Sequence, residues 1–235
     1  MTLADLASRA RCLLIDFDGP ICAVFAGYSA ATVASHLHQV IRLRLDGQLP
    51  PGIAELTTDP LQILAQVDLL GDDKLTGAVA DACRGAETTA VATARPTPGA
   101  EDLLRVAHQT SRRVAIVSNN ATAAVETYLN INNLIRYVDG LAARIDGMPP
   151  RLLKPHPFLI QRALTTMHAQ PAEAMFIGDS VTDIEAGQAA GTPTIGYANK
   201  PGKHQSLTAA GADAVIDTMQ PLCLVLQTAT ARPSA

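Results

Sequence analysis

Short apolar runs alternate with amphipathic helical patterns along most of this chain, and this alternation constrains the fold more than any other feature. The runs lie at residues 11–15, 113–118, 174–178, 192–197 and 212–216, and helical patterns lie between them at 99–110, 121–130, 156–168 and 182–190. Strands that alternate with helices form a parallel sheet that is covered on both faces. The sequence therefore predicts an α/β fold.

The long segment between the first two runs departs from this alternation. Residues 21–95 contain several helical patterns but no convincing strand. A connection between strands rarely needs more than a few tens of residues, so we expect a helical domain inserted after the first strand. Residues 1–20 and 96–235 would then form the sheet domain, with residues 230–235 as a frayed tail.

Composition excludes several classes of function. Hydrophobic residues make up 48% of the 235 residues, which is enough for a sizeable core. The net charge of −4 and an aromatic content of 3% do not provide the basic surface and stacking side chains typical of nucleic-acid binding. We expect neither a signal peptide nor a membrane span, since no apolar run approaches about 20 residues. Four cysteines without metal-ligand spacing favour a reducing cytoplasm.

Two aspartates, Asp16 and Asp18, stand where the first run ends, in the stretch LLIDFDGP. If the strand continues through them, their side chains leave the same side while Phe17 points the other way. Two like charges about 4 Å apart repel by roughly 4 kcal/mol at an effective dielectric constant near 20. Either the stretch is a turn, since Asp-Gly and Gly-Pro are ordinary turn dipeptides, or a cationic group meets the two carboxylates.

Further polar residues follow other predicted elements. Ser118 and Asn119 come at the end of the second run, Asp179 and Asp183 follow the third, and Lys154 lies between these positions. The carboxyl ends of parallel strands meet at one edge, where ligands bind. A divalent cation and a lysine could hold four carboxylates together there. Oxygen ligands without histidine or thiol favour Mg²⁺.

These motifs, in this order, resemble those of the haloacid dehalogenase superfamily. They read DFDGP, VSNN, LLKPHP and GDSVTD, and the resemblance extends from about residue 11 to residue 217. It implies a Rossmann-like, doubly wound parallel sheet with an inserted helical cap, and a cytoplasmic, Mg²⁺-dependent phosphatase of the phosphoglycolate phosphatase-like branch. The implied substrate is a small phosphorylated metabolite. One departure is Pro20, where the family usually has Thr or Val; it fixes φ and removes a backbone donor.

The resemblance also implies catalytic roles. Asp16 would be the nucleophile that forms an aspartyl-phosphate, and Asp18 would protonate the leaving oxygen and then activate water. Ser118 and the backbone amide of Asn119 would hold the phosphoryl oxygens. Lys154 would neutralise both the phosphoryl group and Asp16.

The same resemblance implies a metal site. Asp16 and Asp179 would bind Mg²⁺ through their carboxylates, Asp18 through its backbone carbonyl, and Asp183 directly or through water. Without the resemblance, Asp183 is also explained as an acid in the first turn of a helix, where it interacts favourably with the helix dipole.

Other interpretations of single residues stay open. Ser118 and Asn119 could cap the following helix, and Lys200 could take the place of Lys154 near a strand end. Five basic residues of the insert could contact substrate, but for each of them we favour a position on an exposed helix face. They are His36, His38, Arg42, Arg44 and Lys74.

The sequence also leaves other functions open. A β-phosphoglucomutase-like phosphomutase would keep both Asp16 and Asp18, whereas dehalogenases and phosphonate hydrolases lack the second aspartate. A regulatory or binding member of the fold without turnover is a further alternative. A receiver domain would be about half as long and would lack the insert. The sequence does not decide between a monomer and a homodimer.

Overall fold

The computed structural model describes residues 2–229, and these residues form the predicted α/β fold. The strands of the main sheet are β1 (Cys12–Ile15), β4 (Arg113–Ala121), β5 (Gly140–Arg144), β6 (Ala174–Gly178), β7 (Thr194–Tyr197) and β8 (Ala214–Ile216). Between the first two of these, β2 (Cys22–Ala23) and β3 (Arg95–Pro96) form a short antiparallel ribbon. The main sheet is parallel throughout and has the order β5-β4-β1-β6-β7-β8.

Helices connect the strands. They are α1 (Leu3–Arg9), α2 (Ala30–Arg44), α3 (Pro51–Ala54), α4 (Pro60–Asp68), α5 (Asp73–Ala90), α6 (Ala100–Gln109), α7 (Thr122–Ile131), α8 (Phe158–Thr166), α9 (Val181–Ala189), α10 (Lys203–Ala209) and α11 (Gln220–Thr228). Side-chain caps explain where several of them begin. Ser29, Asp59 and Asp72 each accept a hydrogen bond from a backbone N–H in the first turn of the helix that follows.

The central strand β1 is buried on both faces. Leu13 and Ile15 pack into one hydrophobic cluster, whereas Cys12 and Leu14 pack into another on the opposite face. Burial on both faces explains why every residue of β1 is apolar, with no alternation of polar and apolar positions. The chain leaves β1 toward β4 and later returns to β6 on the other side, so the strand order reverses at β1. A ligand site is expected outside the carboxyl end of β1 for this reason.

The insert has a hydrophobic core of its own, formed by helices α2 to α5 with residues such as Val33, Leu37, Leu64 and Val79. The chain enters and leaves it through the β2–β3 ribbon. We therefore retain 21–95 as the proposed extent of the insert.

Pro20 lies in the turn before this ribbon. In that turn the carbonyl of Phe17 accepts hydrogen bonds from the N–H groups of Ile21 and Cys22, both at 3.1 Å. A residue with fixed φ and no donor is well suited to such a turn position.

The strand β5 was not predicted, because its residues GLAAR are mostly small and its first two are only partly buried at the sheet edge. The predicted frayed tail, 230–235, lies outside the described residues. Among residues 2–229, no helix is both long enough and apolar enough to cross a membrane.

Candidate active site

One buried ammonium group lies between two carboxylates at the carboxyl edge of the sheet. Asp16 follows β1, and its backbone N–H donates to the carbonyl of Ile177 at 2.8 Å. Lys154 Nζ lies 2.6 Å from Asp16 Oδ1 and 2.6 Å from Asp183 Oδ1. The contact with Asp16 is a hydrogen bond, whereas Asp183 Oδ1 makes an ion pair without hydrogen-bond geometry. The lysine therefore compensates two acids that are far apart in the sequence.

The position of Lys154 is set by its neighbours. Its backbone N–H donates to Asn119 Oδ1 at 2.8 Å, and Asn119 Nδ2 donates to its carbonyl at 3.1 Å. Burial lowers the pKa of Lys154, but Asp16 and Asp183 raise it by more, so its net pKa lies above the ordinary value. The side chain therefore stays charged.

Three carboxylates converge at this edge. Asp16, Asp179 and Asp183 each place one oxygen within 4.8 Å of the others. Burial, and then the neighbouring Asp183, raise the pKa of Asp16 well above its usual range, although Lys154 opposes this. A cluster of hard oxygen ligands that is short of positive charge can hold a divalent cation. The residues present therefore fit the predicted metal.

Asp183 lies in the first turn of a helix and also belongs to the acidic cluster, two placements that the sequence presented as alternatives. Its Oδ2 accepts hydrogen bonds from the N–H of Asp179 at 3.1 Å, from the N–H of Ser180 at 3.0 Å and from the Ser180 hydroxyl at 2.7 Å. This is a capping box at the start of α9. Its Oδ1 faces Lys154 and the acidic cluster. The helix cap thus orients the carboxylate toward the site.

Asp179 has partners that sequence reasoning missed. Its Oδ2 accepts hydrogen bonds from Asn199 Nδ2 at 3.0 Å and from Lys203 Nζ. The segment ANKPGK, residues 198–203, contains both Lys200 and Lys203. Lys200 is exposed, and Lys203 is the lysine of that segment that contacts the cluster. The close spacing of two lysines after a strand was a usable signal. The sequence does not show which one faces the acid.

Two glycines permit the close approach of these acids. Gly19 has φ +114°, and a Cβ built there would lie 2.4 Å from Asp179 Cγ. A Cβ on Gly178 would lie 2.3 Å from the Cβ of Asp183. Both glycines belong to the predicted motifs, and steric room is the physical reason for their presence.

Asp18 is partly buried beside the ribbon that leads into the insert. Its Oδ1 accepts a hydrogen bond from the N–H of Val24 at 2.9 Å. Burial raises the pKa of Asp18 to about 6, Asp179 adds to the increase, and the hydrogen bond from Val24 opposes it. A carboxyl group with this pKa can exchange a proton near neutral pH.

The end of β4 forms an irregular loop next to Asn119. Pairing with β5 runs from Ser118 opposite Ala143 directly to Ala121 opposite Arg144, so Asn119 and Asn120 are extra residues. Bulges of this kind redirect side chains and are common beside active sites.

Ser118 is held within this loop by Asn120. Its hydroxyl donates to Asn120 Oδ1 at 3.2 Å and accepts from the Asn120 N–H at 3.1 Å. Helix α7 has no side-chain cap from Ser118 or Asn119, so the capping interpretation is wrong. Glu87 and Arg144 lie behind the loop, and sequence reasoning singled out neither of them.

A cleft of about 400 Å³ lies next to Lys154. The insert contributes Asp59, Leu61, Gln62 and Ala65 to its lining, and the sheet domain contributes Asn119, Lys154 and Thr182 among others. A larger cavity of about 510 Å³ lies between α5 and residues 144–151, and none of the predicted site residues lines it.

The basic residues considered in the insert do not line the cleft beside Lys154. Four of the five (His36, Arg42, Arg44 and Lys74) are exposed, as the helix-face interpretation expected. For His38 that interpretation is wrong: the side chain is buried, and its Nε2 lies 3.0 Å from the carbonyl of Ile53.

Comparison with known proteins independently supports the resemblance to the haloacid dehalogenase superfamily. A family model described as haloacid dehalogenase-like hydrolase matches residues 62–197, which are 136 of the 235 residues and so more than half of the chain. The plasmid phosphoglycolate phosphatase of Cupriavidus necator is 31% identical over 142 residues, which cover 59% of this chain and 58% of that protein. The pyrophosphatase PpaX of Bacillus mycoides is 33% identical over 114 residues, covering 48% and 52% respectively.

The chain thus aligns with little more than half the length of these curated relatives. A crystal structure of a predicted phosphatase from Clostridium acetobutylicum superposes with a TM-score of 0.68 at 18% identity and covers 91% of this chain and 96% of that one. At this identity the likeness shows the fold.

Proposed function

The chain belongs to the haloacid dehalogenase-like hydrolase family, and on this premise we propose that it is a Mg²⁺-dependent phosphatase. It would hydrolyse a small phosphomonoester through an aspartyl-phosphate formed on Asp16. The observation that carries the proposal is the Lys154 ammonium, which lies 2.6 Å from both Asp16 and Asp183 at the switch point of the sheet. An unpaired acid buried there would be protonated and could not attack phosphorus.

Different residues of the chain would carry out different parts of the reaction. Lys154 opposes the rise in the pKa of Asp16 and, together with a bound cation, would favour the ionised carboxylate that acts as nucleophile. It would also add positive charge near the transferring group. Ser118 and the amide of Asn119 would donate hydrogen bonds to the phosphoryl oxygens. Asp18, with a pKa of about 6, would protonate the leaving oxygen and then accept a proton from the attacking water. Phosphoryl transfer depends mainly on such positioning and charge stabilisation.

The acidic cluster supports the choice of metal. Asp16, Asp179 and Asp183 would hold Mg²⁺ with the backbone carbonyl of Asp18, and Asp183 would bind through Oδ1 or through water. When bound, the ion would neutralise charge on the phosphoryl oxygens. Lys203 and Asn199 already orient Asp179.

The cleft that the insert helps to line is consistent with a small substrate. We propose that residues 21–95 form a cap that closes over the cleft of about 400 Å³ and excludes water during the first step. The substrate is then a small phosphorylated metabolite. The domain boundaries and the cytoplasmic location stay predictions.

The test is phosphate release by the full chain from a panel of phosphomonoesters, with Mg²⁺ and with EDTA. We expect EDTA and Asp16→Asn to abolish release and Asp18→Asn to lower it strongly. The matched control is Asp102→Asn, which removes an exposed acid that pairs with Arg105 away from the site. Undiminished release by Asp16→Asn would contradict the mechanism.

Other outcomes of the panel would favour other functions. Isomerisation of a sugar phosphate with little free phosphate would identify a phosphomutase. Inorganic pyrophosphate belongs in the panel because of the similarity to PpaX. Binding of Mg²⁺ and phosphate without any turnover would identify a regulatory or binding member of the family.

A further inference from the structure

We propose that Glu87, on the last long helix of the insert, is a positioning residue for the phosphoryl-binding loop, which we define as residues 118–121. It acts through Asn120, which holds the Ser118 hydroxyl. The inference rests on the proposed function, because it assumes that Ser118 and the Asn119 amide bind phosphoryl oxygens.

Glu87 holds the loop directly. Its Oε2 accepts a hydrogen bond from the N–H of Ala121 at 2.9 Å, and its Oε1 accepts one from Asn120 Nδ2 at 3.3 Å. These are the third and fourth residues of the loop, immediately after Asn119. The bulge at this point of β4 leaves backbone groups without sheet partners, and Glu87 satisfies one of them.

The charge of Glu87 determines which way the Asn120 amide faces. A carboxylate only accepts hydrogen bonds, so the NH₂ group of Asn120 must point toward Glu87 and its Oδ1 toward Ser118. The Ser118 oxygen then sits between the N–H and the Oδ1 of Asn120, at 3.1 and 3.2 Å. From this fixed position the hydroxyl proton can turn toward a phosphoryl oxygen.

Arg144 makes a buried carboxylate tolerable here. Glu87 is fully buried and Arg144 is 5% exposed, and Arg144 Nη2 lies 2.5 Å from Glu87 Oε2. The Nε of Arg144 donates to the carbonyl of Asn119 at 3.0 Å. The ion pair therefore contacts the loop on both sides of Asn120, and it connects the insert to the proposed phosphoryl-binding groups.

The experiment measures KM and kcat for p-nitrophenyl phosphate, and the affinity for inorganic phosphate, in the full chain with Mg²⁺. Glu87→Gln should raise KM and weaken phosphate binding by about tenfold, because displacement of the Ser118 hydroxyl weakens its hydrogen bond to a charged phosphoryl oxygen. A merely structural Glu87 would lower the folded fraction, and hence the apparent kcat, but would leave KM and phosphate affinity unchanged.

Three further variants keep the test decisive. Glu87→Gln leaves Arg144 buried without its partner, so the double variant Glu87→Gln/Arg144→Met removes both charges if the single one does not fold. Asn120→Ala cuts the connection to Ser118 and leaves the ion pair intact. It should reproduce the rise in KM, and adding Glu87→Gln to it should increase KM little further, because both act on the same hydroxyl.

The matched control is Asp146→Asn, which removes the exposed partner of Arg84 in another ion pair between α5 and the segment after β5. We expect wild-type KM and phosphate affinity for this control. Wild-type values in the folded Glu87 and Asn120 variants would overturn the inference. Absence of both turnover and phosphate binding in the wild type would instead contradict the proposed function.

Discussion

The side-chain amide of Asn119 pairs with both backbone groups of Lys154, accepting from its N–H at 2.8 Å and donating to its carbonyl at 3.1 Å. The two residues are 35 positions apart in the chain. This double hydrogen bond joins the loop after β4 to the segment that carries the ammonium group. It thereby sets the distance between the proposed phosphoryl donors and the lysine that neutralises Asp16.

The first prediction concerns this pair. Asn119→Ala should lower kcat by about tenfold, since Lys154 loses the contacts that place its backbone while the proposed amide donor of residue 119 remains. Steady-state phosphate release measures the effect. The control is Asn130→Ala, an exposed amide on α7 whose Nδ2 donates to a backbone carbonyl. Equal kcat for both variants would contradict the positioning role.

The second prediction concerns Gly19. Gly19→Ala places a Cβ at 2.4 Å from Asp179 Cγ and also strains a positive φ, so the acidic cluster must shift. We expect the Mg²⁺ concentration for half-maximal activity to rise by at least about tenfold. Gly47→Ala is the matched control, because Gly47 also has a positive φ, +85°, but a Cβ built there would meet no atom within 4 Å. It should lower stability by about 1 kcal/mol and leave the Mg²⁺ response unchanged.

The third prediction uses the pKa of Asp18. Its folded value of about 6 lies above the ordinary 3.8, so its contribution to folding is fully present below about pH 3.8 and is lost as pH rises through about 6. In EDTA, Asp18→Asn should therefore gain stability relative to wild type between pH 4 and pH 7, by about 2 kcal/mol. Urea unfolding at several pH values measures this. A constant difference between the two proteins would show that burial does not perturb the Asp18 carboxyl.

The fourth prediction distinguishes Lys203 from Lys200. Lys203 compensates Asp179 in the absence of metal, so Lys203→Met should lower the free energy of unfolding in EDTA by about 1 kcal/mol. Saturating Mg²⁺ should reduce this loss, because the cation takes over the compensation. Lys200→Met, at an exposed position, should leave the free energy of unfolding unchanged both in EDTA and in Mg²⁺. Thermal unfolding of the three proteins with and without Mg²⁺ measures the difference.

Short motifs made much of the site predictable. The i, i+2 spacing of Asp16 and Asp18 and the i, i+4 spacing of Asp179 and Asp183 depend on local turn and helix geometry, which a few residues encode. The rule that parallel strands end at one edge then brings these local pieces together without knowledge of any contact. The structure places Asp16, Asp179 and Asp183 in one cluster. Their catalytic and metal-binding roles stay predictions.

Contacts between distant segments were not predictable in the same way. Glu87 and Arg144 are 57 positions apart. On the sequence Glu87 is an ordinary charged residue in a helical pattern, and Arg144 ends a strand that the sequence did not predict. Their burial follows from the packing of α5 against the sheet edge, which periodicity does not specify. Lys203 was missed for a similar reason, since only the course of the chain after β7 brings it, rather than Lys200, to Asp179.

The amino-acid sequence by itself determined the parallel α/β sheet, the helical insert and the acids at the carboxyl edge, because apolar periodicity and short motifs act over a few residues. Only the tertiary structure decided which cations meet those acids and which buried pair contacts the proposed phosphoryl-binding loop. The physical reason is that burial makes the pairing of charges obligatory, while the identity of each partner depends on how separate segments pack.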